Sequence, residues 1–170
     1  KRPTDEFAMS ATLMLGRWIS GQPVVRLWAR LAHISPALPL AVVTSEDSRF
    51  CEHSGVDWRA LNAAISEADE DGPSRGASTI AMQTAKNVFL WPGRSYVRKA
   101  LEIPLALLID ALWTKPRVME VYLNIAEWGD GIFGAEAASQ RYFGKSAAEL
   151  TPREAARLAA VLPNPLRFDA

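Results

Sequence analysis

Cysteine is almost missing from this chain of 170 residues: Cys51 stands alone, so no internal disulfide framework and no multi-cysteine metal site can form. Histidine is nearly as scarce. His33 and His53 have no companion at metal-ligand spacing, which argues against zinc, and no Cys-His-Asn set accompanies Cys51. Neither sign of charge is in excess. With 19 lysines and arginines against 19 aspartates and glutamates, net charge gives no ground for a nucleic-acid partner, and any electrostatic role must come from local clusters. Long apolar runs are lacking too: the richest, IPLALLIDALW at 103–113, is shorter than the ~18 residues a spanning helix needs and contains Asp110. Tandem repeats, low-complexity tracts and convincing strand alternation are also missing, which excludes a solenoid. The length suits one domain over 1–170, and a start at Lys1 rather than methionine fits a processed or excised chain.

What is present reads almost entirely as helix, so the expected class is all-α. Asp57 can cap a helix carrying Leu61, Ala64, Ile65 and Ala68, and Ser78 can cap the next. A long helix over Tyr96–Trp113 places Leu101, Leu105, Leu108, Ile109 and Leu112 on one stripe, with a bend expected at Pro104. Thr114 can cap a helix with Pro116 in its first turn and Val118, Val121, Tyr122 and Ile125 facing inward. TPRE at 151–154 has capping-box spacing, and PNP at 163–165 ends that last helix. LPLAVV at 38–43 reads as strand or as buried helix. Between 10 and 35, Trp18 and Trp28 interleave with Arg17, Arg26 and Arg30. That mixture suits a lipid headgroup boundary, or an amphipathic helix packed on the domain with Val24, Leu27, Trp28 and Leu31 on one face and Pro23 dividing the segment.

Four places can carry chemistry. SEDSRFCEHSGVDW at 45–58 follows the apolar run, so Glu46 and Asp47 sit at the mouth of the core, where a half-buried carboxylate can act as a general base; helix capping is the competing role for Asp47. GASTIAMQTAKN at 76–87 offers Gly76, Ser78 and Thr79 at a helix start, donors suited to an anionic oxygen, although capping explains Ser78 equally well. GRSYVRKALE at 93–102 gathers Arg94, Arg98 and Lys99 around Glu102. A surface salt-bridge ladder needs fewer cations, so the excess points to a multiply charged ligand such as a diphosphate. TKPRVMEVYLN at 114–124 adds Lys115 and Arg117 at a helix start, where cations oppose the helix dipole unless an anion visits.

In this order, the segments resemble the peptidoglycan glycosyltransferases, which polymerise a lipid-linked disaccharide at the bacterial cytoplasmic membrane. EDSRFCEHSGVD is similar to the first motif of that family, GASTIAMQTAKN to the second, RKALE to the third, KPRVMEVYLN to the fourth and REAARLAAVLPNP to the fifth. The stretch NIAEWGDGIFGAEAASQRYFGK is similar to the monofunctional, biosynthetic members. One departure stands out: the second motif usually carries two adjacent glutamines, and here the first is Met82 while Gln83 remains.

The resemblance implies a lysozyme-like helical fold, with a groove between a larger lobe and a smaller, membrane-associated lobe. It also implies a location at the inner membrane with the catalytic domain on the outer face, and an N-terminal membrane anchor removed ahead of Lys1. Glu46 would be the base that takes a proton from the acceptor's sugar 4-hydroxyl as undecaprenyl diphosphate leaves with inversion. Asp47, Phe50, His53 and Gly55 would shape the acceptor side, while Gly76, Ser78, Thr79, Gln83, Lys86, Arg94, Arg98 and Lys99 would line the donor side. Lys115, Arg117, Tyr122 and Asn124 would complete the substrate-binding set. Glu102 would be the second carboxylate, holding its cations or binding Mg2+ or Mn2+ together with the diphosphate. The implied partners are lipid II, the growing undecaprenyl-linked glycan, a membrane surface, and cell-division or elongation proteins. Two rivals share parts of this pattern: a lysozyme-like hydrolase or lytic transglycosylase, and a non-catalytic module that binds the lipid-linked precursor. Residues 66–76 and 91–96, rich in glycine, proline and charge, are expected to move in the absence of substrate.

Overall fold

The computed structural model describes residues 16–67, 76–91, 95–168 and 170. Arg94, residues 10–15 and the larger part of the two stretches expected to move lie outside these described residues. The fold is mostly helical, with helices α1 (Ala37–Glu46), α2 (Trp58–Ser66), α3 (Ile80–Phe89), α4 (Tyr96–Leu112), α5 (Lys115–Ile125), α6 (Ala135–Phe143) and α7 (Pro152–Val161). LPLAVV is therefore helix, with Leu38 and Val42 fully buried. The helix starts follow local chemistry. Asp57 accepts from the Ala60 amide at 2.9 Å, and Thr151 and Glu154 form a complete capping box.

A small sheet was not expected. Strand β1 (Val25–Arg26) pairs in parallel with β3 (Ile132–Phe133), which pairs antiparallel with β2 (Glu127–Gly129). This corrects the helical reading of 24–31. Spacing put Val24, Leu27, Trp28 and Leu31 on one face, but the backbone of this segment is taken by partners distant in sequence. Val25 donates to the Gly131 carbonyl at 2.8 Å, and Asn124 accepts from Ala29 N and donates to Ala29 O, both at 2.8 Å. Local propensity yields to such tertiary bonds.

Helix α3 lies at the centre, packed on α4 and α5, while α1 packs on α7. Seven of the ten residues of α3 are buried, from Ile80 to Val88. Helix α4 runs through Pro104 and has two unlike faces. Glu102, Ala106 and Ile109 point into the protein, whereas Val97, Leu101, Leu108 and Leu112 are 40–70% exposed. The expected stripe thus divides: Leu101, Leu108 and Leu112 face outward, Leu105 packs partly buried against the core, Ile109 is buried, and the buried face carries an acid. Among the described residues no helix is long and apolar enough to cross a membrane.

Candidate active site

Glu46 is the last residue of α1, and Asp47 turns the chain away from that helix. Asp47 is buried and answers two groups at once. Its Oδ2 accepts from the amide of Ile80, the first residue of α3, at 2.9 Å, and its carboxylate lies 2.8 Å from Nε2 of the buried His53. The helix-capping reading of Asp47 therefore holds in a longer-range form, fastening the start of α3 to the end of α1. A second fastening lies alongside. Thr79 Oγ1 donates to the Gly55 carbonyl at 2.6 Å, and Gly55 adopts φ +78 where an added Cβ would lie 2.5 Å from the Ala106 carbonyl of α4. Only glycine meets both conditions without strain. Lys115 braces the same loop, donating to the His53 carbonyl at 2.6 Å, pairing with Asp110 and lying over the Phe50 ring.

These fastenings set Glu46 beside Gln83. The Gln83 Nε2 group donates to Glu46 Oε2 at 3.0 Å; among the described residues, no hydrogen-bond partner is found for the other Glu46 oxygen. Glu46, half-buried, lines a cleft of about 200 Å³ together with Asp47, Gly76, Ser78 and Thr79. Thr44, Ser45 and Ser48 also line it, contributors that the motif reading did not name; their only signal in the sequence was adjacency to Glu46.

A cationic group adjoins this cleft. Glu102, 2% exposed, accepts from Arg98 on one oxygen and from Lys99 on the other, the latter at 2.8 Å. Lys99 also donates to Ser78 Oγ at 2.6 Å. The capping role expected of Ser78 belongs instead to Thr79, whose hydroxyl accepts from the Met82 amide, so Ser78 is left to face the lysine. Arg98, Lys99, Ser95 and Tyr96 line a second cleft of about 340 Å³. The Ser78–Lys99 bond joins the two clefts.

Lys86 completes the group. It forms no ion pair with a described residue, and burial pulls its pKa below the ordinary lysine value; Glu102 and Glu46 oppose that shift, while Arg98 and Lys99 reinforce it. The folded protein therefore holds this proton less tightly than the unfolded chain does, so stability rises with pH between the lowered value and the ordinary one. At neutral pH a charged Lys86 costs stability. Lys86→Met is expected to raise the thermal midpoint at pH 7 and to flatten its rise at alkaline pH, while weakening retention of an anionic substrate. A melting series across pH checks the first two, and substrate titration checks the third.

Other expected site residues lie elsewhere. Asn124 is a correction: fully buried, it spends its amide on the backbone of Ala29 and Glu120, and so ties the segment before α1 to α5 rather than meeting a substrate. Arg117 is another, paired with Glu120 at 2.6 Å and lying over Trp28. Lys115 is committed to its loop. Phe50 and His53 are buried and shape that loop from within. Met82, where the motif departs, is fully buried in the core, so the side chain at this position points away from the cleft. Tyr122, 1% exposed, reaches the site only through Gln83, donating to its Oε1 at 3.0 Å. Both Glu102 oxygens accept from cations, Arg98 and Lys99, and a divalent ion there would have to share them. Among the described residues no cluster of three or more acids, histidines or cysteines could hold one elsewhere.

Comparison with known proteins agrees with this geometry. The family model described as Transglycosylase matches residues 14–170. A biosynthetic peptidoglycan transglycosylase of Nitrobacter winogradskyi is 56% identical over 161 residues, covering 94% of this chain and 71% of the relative. The protein of the same name from Rhodospirillum centenum is 59% identical over 157 residues, covering 92% and 68%. That from Brucella suis is 56% identical over 155 residues, covering 91% and 69%. A helical fold, an accessible carboxylate beside a cationic cluster, and a match over nearly the whole length lead to one conclusion: this chain belongs to the transglycosylase family, as a peptidoglycan glycosyltransferase.

Proposed function

We propose that the domain polymerises lipid II into glycan strands, with Glu46 as general base and the Lys86, Arg98 and Lys99 cluster receiving the diphosphate. The observation that carries this reading is the joining of two unlike sites at Ser78–Lys99: a carboxylate with one oxygen open to a cleft on one side, and three cations around one acid on the other. In this scheme the acceptor's 4-hydroxyl gives its proton to the open oxygen of Glu46 as the sugar oxygen attacks the anomeric carbon. The carbon–oxygen bond to the diphosphate breaks on the opposite face, which inverts the centre. Diphosphate leaves as an anion, so charge stabilisation serves it better than protonation.

Glu102 separates transfer from hydrolysis. A glycosidase needs a carboxylic acid to protonate a poor alkoxide leaving group. Both Glu102 oxygens accept from cations, so this residue acts as a carboxylate that holds Arg98 and Lys99 in place. The same geometry favours direct pairing of cations with the diphosphate over a Mg2+ or Mn2+ ion held by Glu102.

The exposed side chains of α4 support a lipid-facing surface. Val97, Leu101, Leu108 and Leu112 form its outer stripe, and the exposed Tyr96 at the start of the helix lines the cationic cleft. A lipid-linked donor with its diphosphate among those cations would keep its polyprenyl tail against this stripe, at the outer face of the cytoplasmic membrane. The test is incubation with fluorescent lipid II in detergent, with products resolved by size, in parallel with purified glycan strands. Lengthening of the precursor with intact strands is the expected result. Strand shortening with untouched precursor would assign hydrolysis instead.

A further inference from the structure

The interior of the protein reaches Glu46 along one path. Tyr122 on α5 donates to Gln83 Oε1, and Gln83 on α3 donates through Nε2 to Glu46 Oε2, each at 3.0 Å. The direction of this chain is set by chemistry at both ends. An ionised carboxylate only accepts, so the amide nitrogen must face Glu46, and the carbonyl is then left to face a group that can donate. Tyr122 is such a group. It is 1% exposed, and burial, reinforced by the charges of Glu46 and Asp47, pushes its pKa far above the ordinary tyrosine value, so the phenol keeps its proton at any working pH. Without that hydroxyl, the Gln83 amide would be held at its nitrogen end alone.

We infer that Tyr122 and Gln83 are positioning residues: Tyr122 locks the Gln83 amide, and the locked amide holds one oxygen of Glu46 so that the other faces the acceptor cleft. Neither side chain needs to touch substrate to do this. Tyr122 is buried beneath α3, and its hydroxyl is spent on Gln83. The backbone around the chain is rigid where it must be, because the Asp47 bond to Ile80 N fixes α3 against the end of α1. A carboxylate released from this hold would rotate about its side-chain torsions, and small misplacements of a reacting group can cost on the order of 10²-fold in rate.

This inference rests on Glu46 acting as the base, and the test separates the two. Glycan polymerisation by the full chain is measured for Glu46→Gln, Gln83→Ala, Tyr122→Phe and the Gln83→Ala/Tyr122→Phe double variant, with kcat and KM for lipid II resolved and thermal midpoints recorded. The expected pattern is a fall in kcat on the order of tenfold for Tyr122→Phe and up to about 10²-fold for Gln83→Ala, with KM changed less than twofold. The double variant should match Gln83→Ala alone, because Tyr122 acts only through that amide. A merely structural tyrosine would lower the thermal midpoint and add its effect to that of Gln83→Ala. Wild-type kcat in Tyr122→Phe, additive losses in the double variant, or a rise in KM at constant kcat would each overturn the inference. Full activity in Glu46→Gln would instead overturn the assignment of the base, whatever the other variants do.

Discussion

Glu46→Gln is expected to abolish measurable polymerisation, with a loss on the order of 10² to 10⁴-fold, while leaving the fold unchanged. That range is what a positioned proton acceptor typically contributes. The substitution preserves shape, and the new side chain still offers an oxygen to the Gln83 amide, so the 3.0 Å contact that holds it can survive. Only basicity is lost. Product sizing on fluorescent lipid II, with a thermal melt as control, reads both parts. Activity within threefold of wild type would leave the cleft without a base, since Asp47 is already engaged by Ile80 N and His53. A variant that melts much earlier would show that Glu46 supports the structure as well.

The second large effect is on stability. Glu102→Ala is expected to cost about 3 kcal/mol, because removing one member of a buried ion group leaves charge without its partner. The low end of the usual range applies: the Lys99 side chain is 44% exposed and can turn to water, whereas Arg98, at 12%, cannot readily do so. Denaturant unfolding measures this, as a lower midpoint at constant slope. Polymerisation should collapse as well, since Lys99 loses one of its two anchors and Arg98 its principal one. Glu102→Gln keeps an acceptor of the same size and should fall between the two. A loss under 1 kcal/mol in Glu102→Ala would mean that water already compensates these cations in the folded protein.

Lys86 and Glu102 mark opposite ends of one arrangement. Glu102 steadies two cations and stabilises the fold, while Lys86 is left beside them at a cost. Three cations and one acid in a partly dry place are poorly balanced in the free protein. The proposed diphosphate would restore the balance, which is the physical reason such a cluster would bind it tightly. The gain from Lys86→Met in stability and its loss in substrate retention are two readings of the same imbalance.

Much of this was legible in the residues themselves. Helix starts at Asp57 and Thr151, the inward face of α5, and the ion group of Arg98, Lys99 and Glu102 all follow from spacing within one helix or one turn, where geometry is nearly fixed by the backbone. The order of the five motifs carried the family. What only the tertiary structure decided are the contacts between segments far apart in the chain. Spacing could not tell that Asn124 would clamp Ala29, 95 residues away, or that Ser78 would yield its cap to Thr79 and turn to Lys99. Nor could it tell that Leu101, Leu108 and Leu112 of α4 face outward while its glutamate faces in. A helix has the same periodicity whichever face is buried, and side chains with two possible partners choose by what the rest of the fold brings within 3 Å. The sequence by itself determined which groups exist and how each helix displays them; the packing of α1, α3, α4 and α5 decided which of them meet, because hydrogen bonds and ion pairs act only over that short reach.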